Sequence, residues 1–249
     1  MPMIPIIDVL VLAWFIACWV GYVVFARRKS GHTASLVVAM RVYRREWFRH
    51  MLGHENRIGD IGALNSLVTG STFFASTSIL ILSGLVALLG TPERVIDIVA
   101  DIPFTHRDSE LVWKIKIILL ICVLAYAFFK FSWSIRQFNF CAVLIGAAPH
   151  TERPSEHEDF ISTISSVSSY ASEDFNLGLR AFYFALAALA WFLHPALFAL
   201  SSALVVGILY QREFHSNTLR ALTQPSSIHQ SLHLPESVLK ELHLGARAA

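Results

Sequence analysis

Apolar residues in this chain gather into long runs separated by shorter polar stretches. The first run covers residues 3–25 and is interrupted only by Asp8. About 20 residues at 1.5 Å rise cross a bilayer core, so this run predicts a membrane-spanning helix. Arg27, Arg28 and Lys29 follow the apolar stretch rather than precede it, the order of an uncleaved anchor and not of a signal peptide. Further spans are predicted at about 61–89, 111–131 and 181–210. The last would be roughly 45 Å long as a helix, more than a perpendicular crossing needs, and His194-Pro195 near its middle predicts a kink or a tilt. Residues 1–210 read as one transmembrane domain and 211–249 as a loosely ordered tail.

Between the first two runs the pattern changes period. Leu36, Met40, Tyr43, Trp47 and Met51 recur at steps of three and four, and Arg41, Arg45 and Arg49 form a second stripe. That predicts a basic amphipathic helix at the membrane surface, offering Arg41, Arg45 and Arg49 to anionic lipid or to a partner. The fold class is therefore all-α: a polytopic membrane protein with about four transmembrane helices plus this interfacial helix, assembled as a homo-oligomer. The apolar stretch 138–148 is the one segment whose entry into the membrane would move the tail to the other side.

Composition agrees with lipid as solvent: 55% of the 249 residues are hydrophobic and 15% charged, against about a quarter charged in soluble domains. A net charge of +2 gives no reason to expect nucleic acid. Charge placement is more informative. The first connection is rich in Arg, whereas the second carries Glu93, Asp97, Asp101, Asp108 and Glu110. The positive-inside rule then puts the first connection in the cytoplasm and the N-terminus outside, and four crossings return the C-terminus to the outside. Cys18, Cys122 and Cys141 lack CxxC spacing and read as small buried hydrophobes.

The second run is unusually polar for a span. Asn65, Thr69, Thr72, Ser76 and Ser83 fall on one helical face. Such a seam fits either tight helix packing or a polar path, and His194, set deep in the last run, joins the candidate path-lining residues. At the cytoplasmic ends, Asp60, Arg136, Asn139, Asn176 and Arg180 are candidates for a polar vestibule. His50 and His54 have a ligand-like spacing, but no third ligand accompanies them, so no metal site is expected. No P-loop, GxSxG, HExxH or dinucleotide fingerprint occurs, which argues against an enzyme and implies no cofactor.

The segments His32-Thr33-Ala34-Ser35, Arg44-Arg45-Glu46-Trp47, Phe73-Phe74-Ala75-Ser76-Thr77-Ser78-Ile79-Leu80, Arg136-Gln137-Phe138-Asn139 and Phe175-Asn176-Leu177-Gly178-Leu179-Arg180-Ala181 carry a resemblance. With them the chain resembles a family of uncharacterised bacterial inner-membrane proteins, a domain of unknown function. The resemblance implies a multi-pass bacterial inner-membrane protein with four spans, and no activity. Two functions remain open: an oligomeric pore or transporter-like protein with the second span lining its path, and a non-transporting scaffold or regulator whose basic helix binds a partner or anionic lipid.

Overall fold

A computed structural model describes residues 5–30, 33, 35–90, 109–149 and 154–223. These residues are almost entirely helical and contain no strand. The helices are α1 (Ile6–Ser30), α2 (Leu36–Leu52), α3 (Ile58–Leu89), α4 (Glu110–Gly146), α5 (Pro154–Leu189), α6 (Pro195–Phe214) and α7 (Asn217–Thr223). Five stretches are long and apolar enough to cross a membrane: α1, α3, α4, residues His157–Phe192, and Pro195–Thr223. The polar connection at 91–108 lies outside the described residues.

The apolar run at 181–210 is divided between two of these stretches. Helix α5 gives way to a 3-10 turn, Ala190–Phe192, and α6 begins at Pro195. The cause is local. Proline has no amide to continue the hydrogen-bond ladder, but it suits the first position of a new helix. His194 supports the restart, since its Nδ1 accepts from the Ala196 amide at 3.1 Å. The stretch 138–148 is not a separate element: α4 runs through it to Gly146.

Helix α2 forms as its sequence pattern predicts. Ser35 caps it, accepting from the Val38 amide at 3.4 Å, and Gly53 ends it. Its buried side chains are Ala39, Glu46, Phe48 and Met51, so the inward face is rotated from the predicted stripe, and Met40 is exposed.

The described residues divide into two compact units. One draws on Met1–Phe25, Phe73–Phe131 and Asn176–Leu209. Aromatic rings hold it together. Phe15 packs edge-on to Phe184 at 5.7 Å and lies 5.1 Å from Phe198, which stacks on Trp191 at 4.8 Å. Ser201 donates across to the Ala187 carbonyl at 3.0 Å, the kind of interhelical bond that joins helices in lipid. Gly178 makes room for the ring of Phe131.

The other unit draws on Ala26–Thr72, Ser132–Phe175 and Tyr210–Ala249. Its core unites Phe48 and Met51 of α2, Leu64 of α3, Phe138, Cys141 and Ile145 of α4, and Ile164 and Ala171 of α5. Full burial of a side chain such as Phe48 or Met51 contributes about 1.5–3 kcal/mol relative to exposure in water. That fixes α2 to this unit as a packed helix. Helix α7 also packs on α2, and the Tyr43 hydroxyl donates to the Leu222 carbonyl at 3.1 Å.

Candidate functional site

Helix α5 has 36 residues, about 54 Å at 1.5 Å per residue, whereas about 20 suffice to cross a bilayer core. Its apolar part is the C-terminal half, and its N-terminal turns are polar. Within them Ser162, Ser165, Ser166 and Ser169 recur at helical spacing and share a face. Helix α2 turns its basic stripe toward that face. Arg41, Val42, Arg45 and Glu46 on one side and the four serines with Tyr170 on the other line a cleft of about 240 Å³.

Two ion pairs clasp its walls. Arg45 bonds to Glu158 of α5, and Arg49 bonds both to Glu46 and to Glu158, the last at 3.3 Å. Burial disfavours the charge on Arg49, but the Glu46 and Glu158 carboxylates outweigh it and raise its pKa. Arg44 has the opposite balance: burial, with Arg41 adding to it, pulls its guanidinium down to about 10. Arg41 is exposed and makes no ion pair among the described residues. On the opposite wall Ser165 and Ser169 are only 6% and 9% exposed, and their hydroxyls have no hydrogen-bond partner among the described residues. The cleft is thus lined on one side by a cation without an ion pair and on the other by two serines with unsatisfied hydroxyls.

The polar seam of α3 lies elsewhere. Asn65, Thr69, Thr72, Ser76 and Ser83 are all exposed on the surface of the single chain. Thr69, Thr72 and Ser83 return their hydroxyls to the carbonyls of Asn65, Val68 and Ile79, four residues back. Ser71 and Ser78, off the seam, are buried, and Ser71 lies 3.4 Å from Ser134 of α4. His194 is exposed and serves the start of α6.

Of the vestibule candidates, Asp60 is buried and gives both carboxylate oxygens to other partners: Trp47 Nε1 at 2.7 Å and His54 Nδ1 at 2.9 Å. Arg136 is exposed with its guanidinium over the rings of Trp133 and Phe140, each at 5.7 Å, and Asn139 is exposed. Asn176 and Arg180 belong to the first unit, where Arg180 lies 5.4 Å from the Tyr22 ring. His54 is engaged by Asp60, and no cluster of three or more potential metal ligands occurs among the described residues.

Sequence reasoning singled out Arg41, Arg45 and Arg49 but passed over the serine face opposite them. Its signal was the three-one-three spacing of Ser162, Ser165, Ser166 and Ser169, hidden among the further serines Ser168 and Ser172. The Asp60 clasp left no such signal, since Trp47, His54 and Asp60 share no helical period.

A family model described as a protein of unknown function, DUF599, matches residues 10–218. No curated protein and no solved structure matches the chain.

Proposed function

The chain belongs to the DUF599 family, whose function is unknown, and we propose that it acts as a membrane scaffold or regulator that recognises an anionic group at the cytoplasmic surface. The observation carrying this reading is the cleft between α2 and α5, lined by Arg41 on one helix and on the other by Ser165 and Ser169, whose hydroxyls lack a partner among the described residues. A helix that only rests on lipid has no need of a second, polar wall. Guanidinium groups, always charged and fork-shaped, are suited to phosphate and carboxylate partners.

The arginine-rich first connection supports a cytoplasmic position for α2 in a bacterial inner membrane. Two contacts bear on the C-terminal end, for which four crossings led to the outside. Lys29, just after the first span, donates to the Tyr210 hydroxyl at 2.7 Å, and α7 packs on α2. Both support the C-terminal helix on the same side as α2, the outcome of five crossings.

The test is binding of the purified protein in nanodiscs to anionic against zwitterionic lipid, read by native mass spectrometry. Arg41→Glu with Arg45→Glu is expected to abolish the anionic preference. An unchanged preference with folding intact would contradict the reading.

The seam supports a second reading, an oligomer whose α3 helices line a shared polar path. Six exposed polar side chains along α3, the five of the seam and Ser66, leave a lone chain with polar groups toward lipid. Ion or solute flux in liposomes and native mass test it together. A strict monomer, or flux unaffected by Thr72→Leu with Ser76→Leu, contradicts it.

A further inference from the structure

Resting on the anion-recognition reading, we infer that the cleft is a phosphate site, built for a monoester whose three free oxygens reach both walls at once. Of the charged side chains that line the cleft or clasp its walls, Arg41, Arg45 and Arg49 stand against two carboxylates, Glu46 and Glu158, leaving a local excess of one positive charge. That excess attracts an anion, and a phosphate monoester, with close to two negative charges near neutral pH, is attracted more strongly than a monoanion. Arg49 is committed to Glu46 and Glu158, and Arg45 to Glu158. Arg41 remains as the cation able to turn to a ligand.

The shape of the donor set separates phosphate from carboxylate. A planar carboxylate presents two oxygens on one edge, which one guanidinium fork satisfies. Here the lining donors come from two helices, Arg41 from α2 and, from α5, Ser165 and Ser169, whose hydroxyls lack a partner among the described residues. A tetrahedral group with three unsubstituted oxygens can offer two of them to the serine hydroxyls and the third to the guanidinium. The cleft, about 240 Å³, is smaller than the roughly 300–1,000 Å³ sites that enclose drug-sized ligands. It accommodates a headgroup or small phosphate ester.

The same chemistry arises from a lipid headgroup of the phosphatidic acid type or from soluble phosphate. The test uses the full chain in nanodiscs. One arm titrates inorganic phosphate in zwitterionic discs at constant ionic strength, with chloride as control. The other compares discs holding phosphatidic acid with discs of equal charge holding phosphatidylglycerol, a diester. Wild type is expected to bind phosphate in the first arm, to prefer phosphatidic acid in the second, or both, and the arm that responds names the source. Ser165→Ala with Ser169→Ala, conservative within a helix, is expected to weaken that binding about tenfold. Arg41→Gln is expected to weaken it at least as much, with partial recovery in Arg41→Lys. Binding unaltered by the serine pair, or equal affinity for monoester and diester without phosphate binding, overturns the phosphate site. If Arg41→Glu with Arg45→Glu still lowers anionic-lipid binding in that case, the broader reading stands. Loss of every anion preference in wild type overturns both.

Discussion

Lys116 donates to the main-chain carbonyl of Trp191 at 2.8 Å, the carbonyl that the residue at 195 would serve in a continuous helix and that Pro195 cannot. Lys116 is 2% exposed, lies over the Trp191 and Phe192 rings, and reaches from α4 to the 3-10 turn between α5 and α6. The indole of Trp191 in turn donates to Asp8 at 2.9 Å. An acid, a base and a broken helix therefore meet within one unit. A backbone acceptor left open in an apolar setting is costly, and this side chain meets the cost.

The arrangement predicts coupling between Lys116 and Pro195. Lys116→Met should lower thermal stability in detergent by about 1–3 kcal/mol, because the Trp191 carbonyl loses its donor. Pro195→Ala restores an amide to that carbonyl, so the double variant should lose less than the sum of the singles. A double-mutant cycle reads the coupling, about 0.5–3 kcal/mol for groups in direct contact. Strict additivity would mean that Lys116 does not replace the missing amide.

A second prediction concerns Gly178. A Cβ there would sit 2.6 Å from Phe131 Cε1, and Phe131 cannot readily yield, being fully buried and stacked on Phe74 at 5.3 Å. Gly178→Ala should destabilise by about 1–3 kcal/mol, as overpacking does. Combining it with Phe131→Leu should recover part of the loss in the same melting assay; no recovery would place the strain elsewhere.

Asp60 anchors α2 through Trp47 and His54. Asp60→Ala leaves the Trp47 N–H without its acceptor and should cost about 1–3 kcal/mol. Trp47→Phe should cost less through this bond, since Asp60 keeps His54. Hydrogen exchange along residues 36–52 measures both, with faster exchange expected in Asp60→Ala. Equal protection in that variant would show that the Phe48 and Met51 packing alone holds the helix.

Much of this was legible in the chain. The runs at 3–25 and 61–89 correspond to α1 and α3, and Ser35 with the three-four spacing of Leu36 to Met51 marks α2. What hydropathy conceals is the helix break. Leu189 to Leu197 is apolar on both sides of His194-Pro195, and a kinked helix and two helices share that pattern. Nor does periodicity fix which way α2 rolls. Its Arg45 and Arg49 pair with Glu158, more than a hundred residues away, and that draws Glu46 inward and leaves Met40 exposed. The cleft was half visible: one wall is a basic stripe, and the other is a serine face that acquires meaning only when α5 lies opposite it.

Anion recognition at the cytoplasmic surface requires α2, the cleft and the C-terminal helix to share that side of the membrane. In a background with Cys18, Cys122 and Cys141 replaced, single cysteines at Ser30, Ser109 and Ser226 can be probed on intact cells with an impermeant thiol reagent. Labelling of Ser109→Cys alone is expected, with Ser30→Cys and Ser226→Cys labelled only after the membrane is opened. Labelling of Ser226→Cys on intact cells would contradict five crossings, and labelling of Ser30→Cys would put the arginine and serine cleft outside the cell.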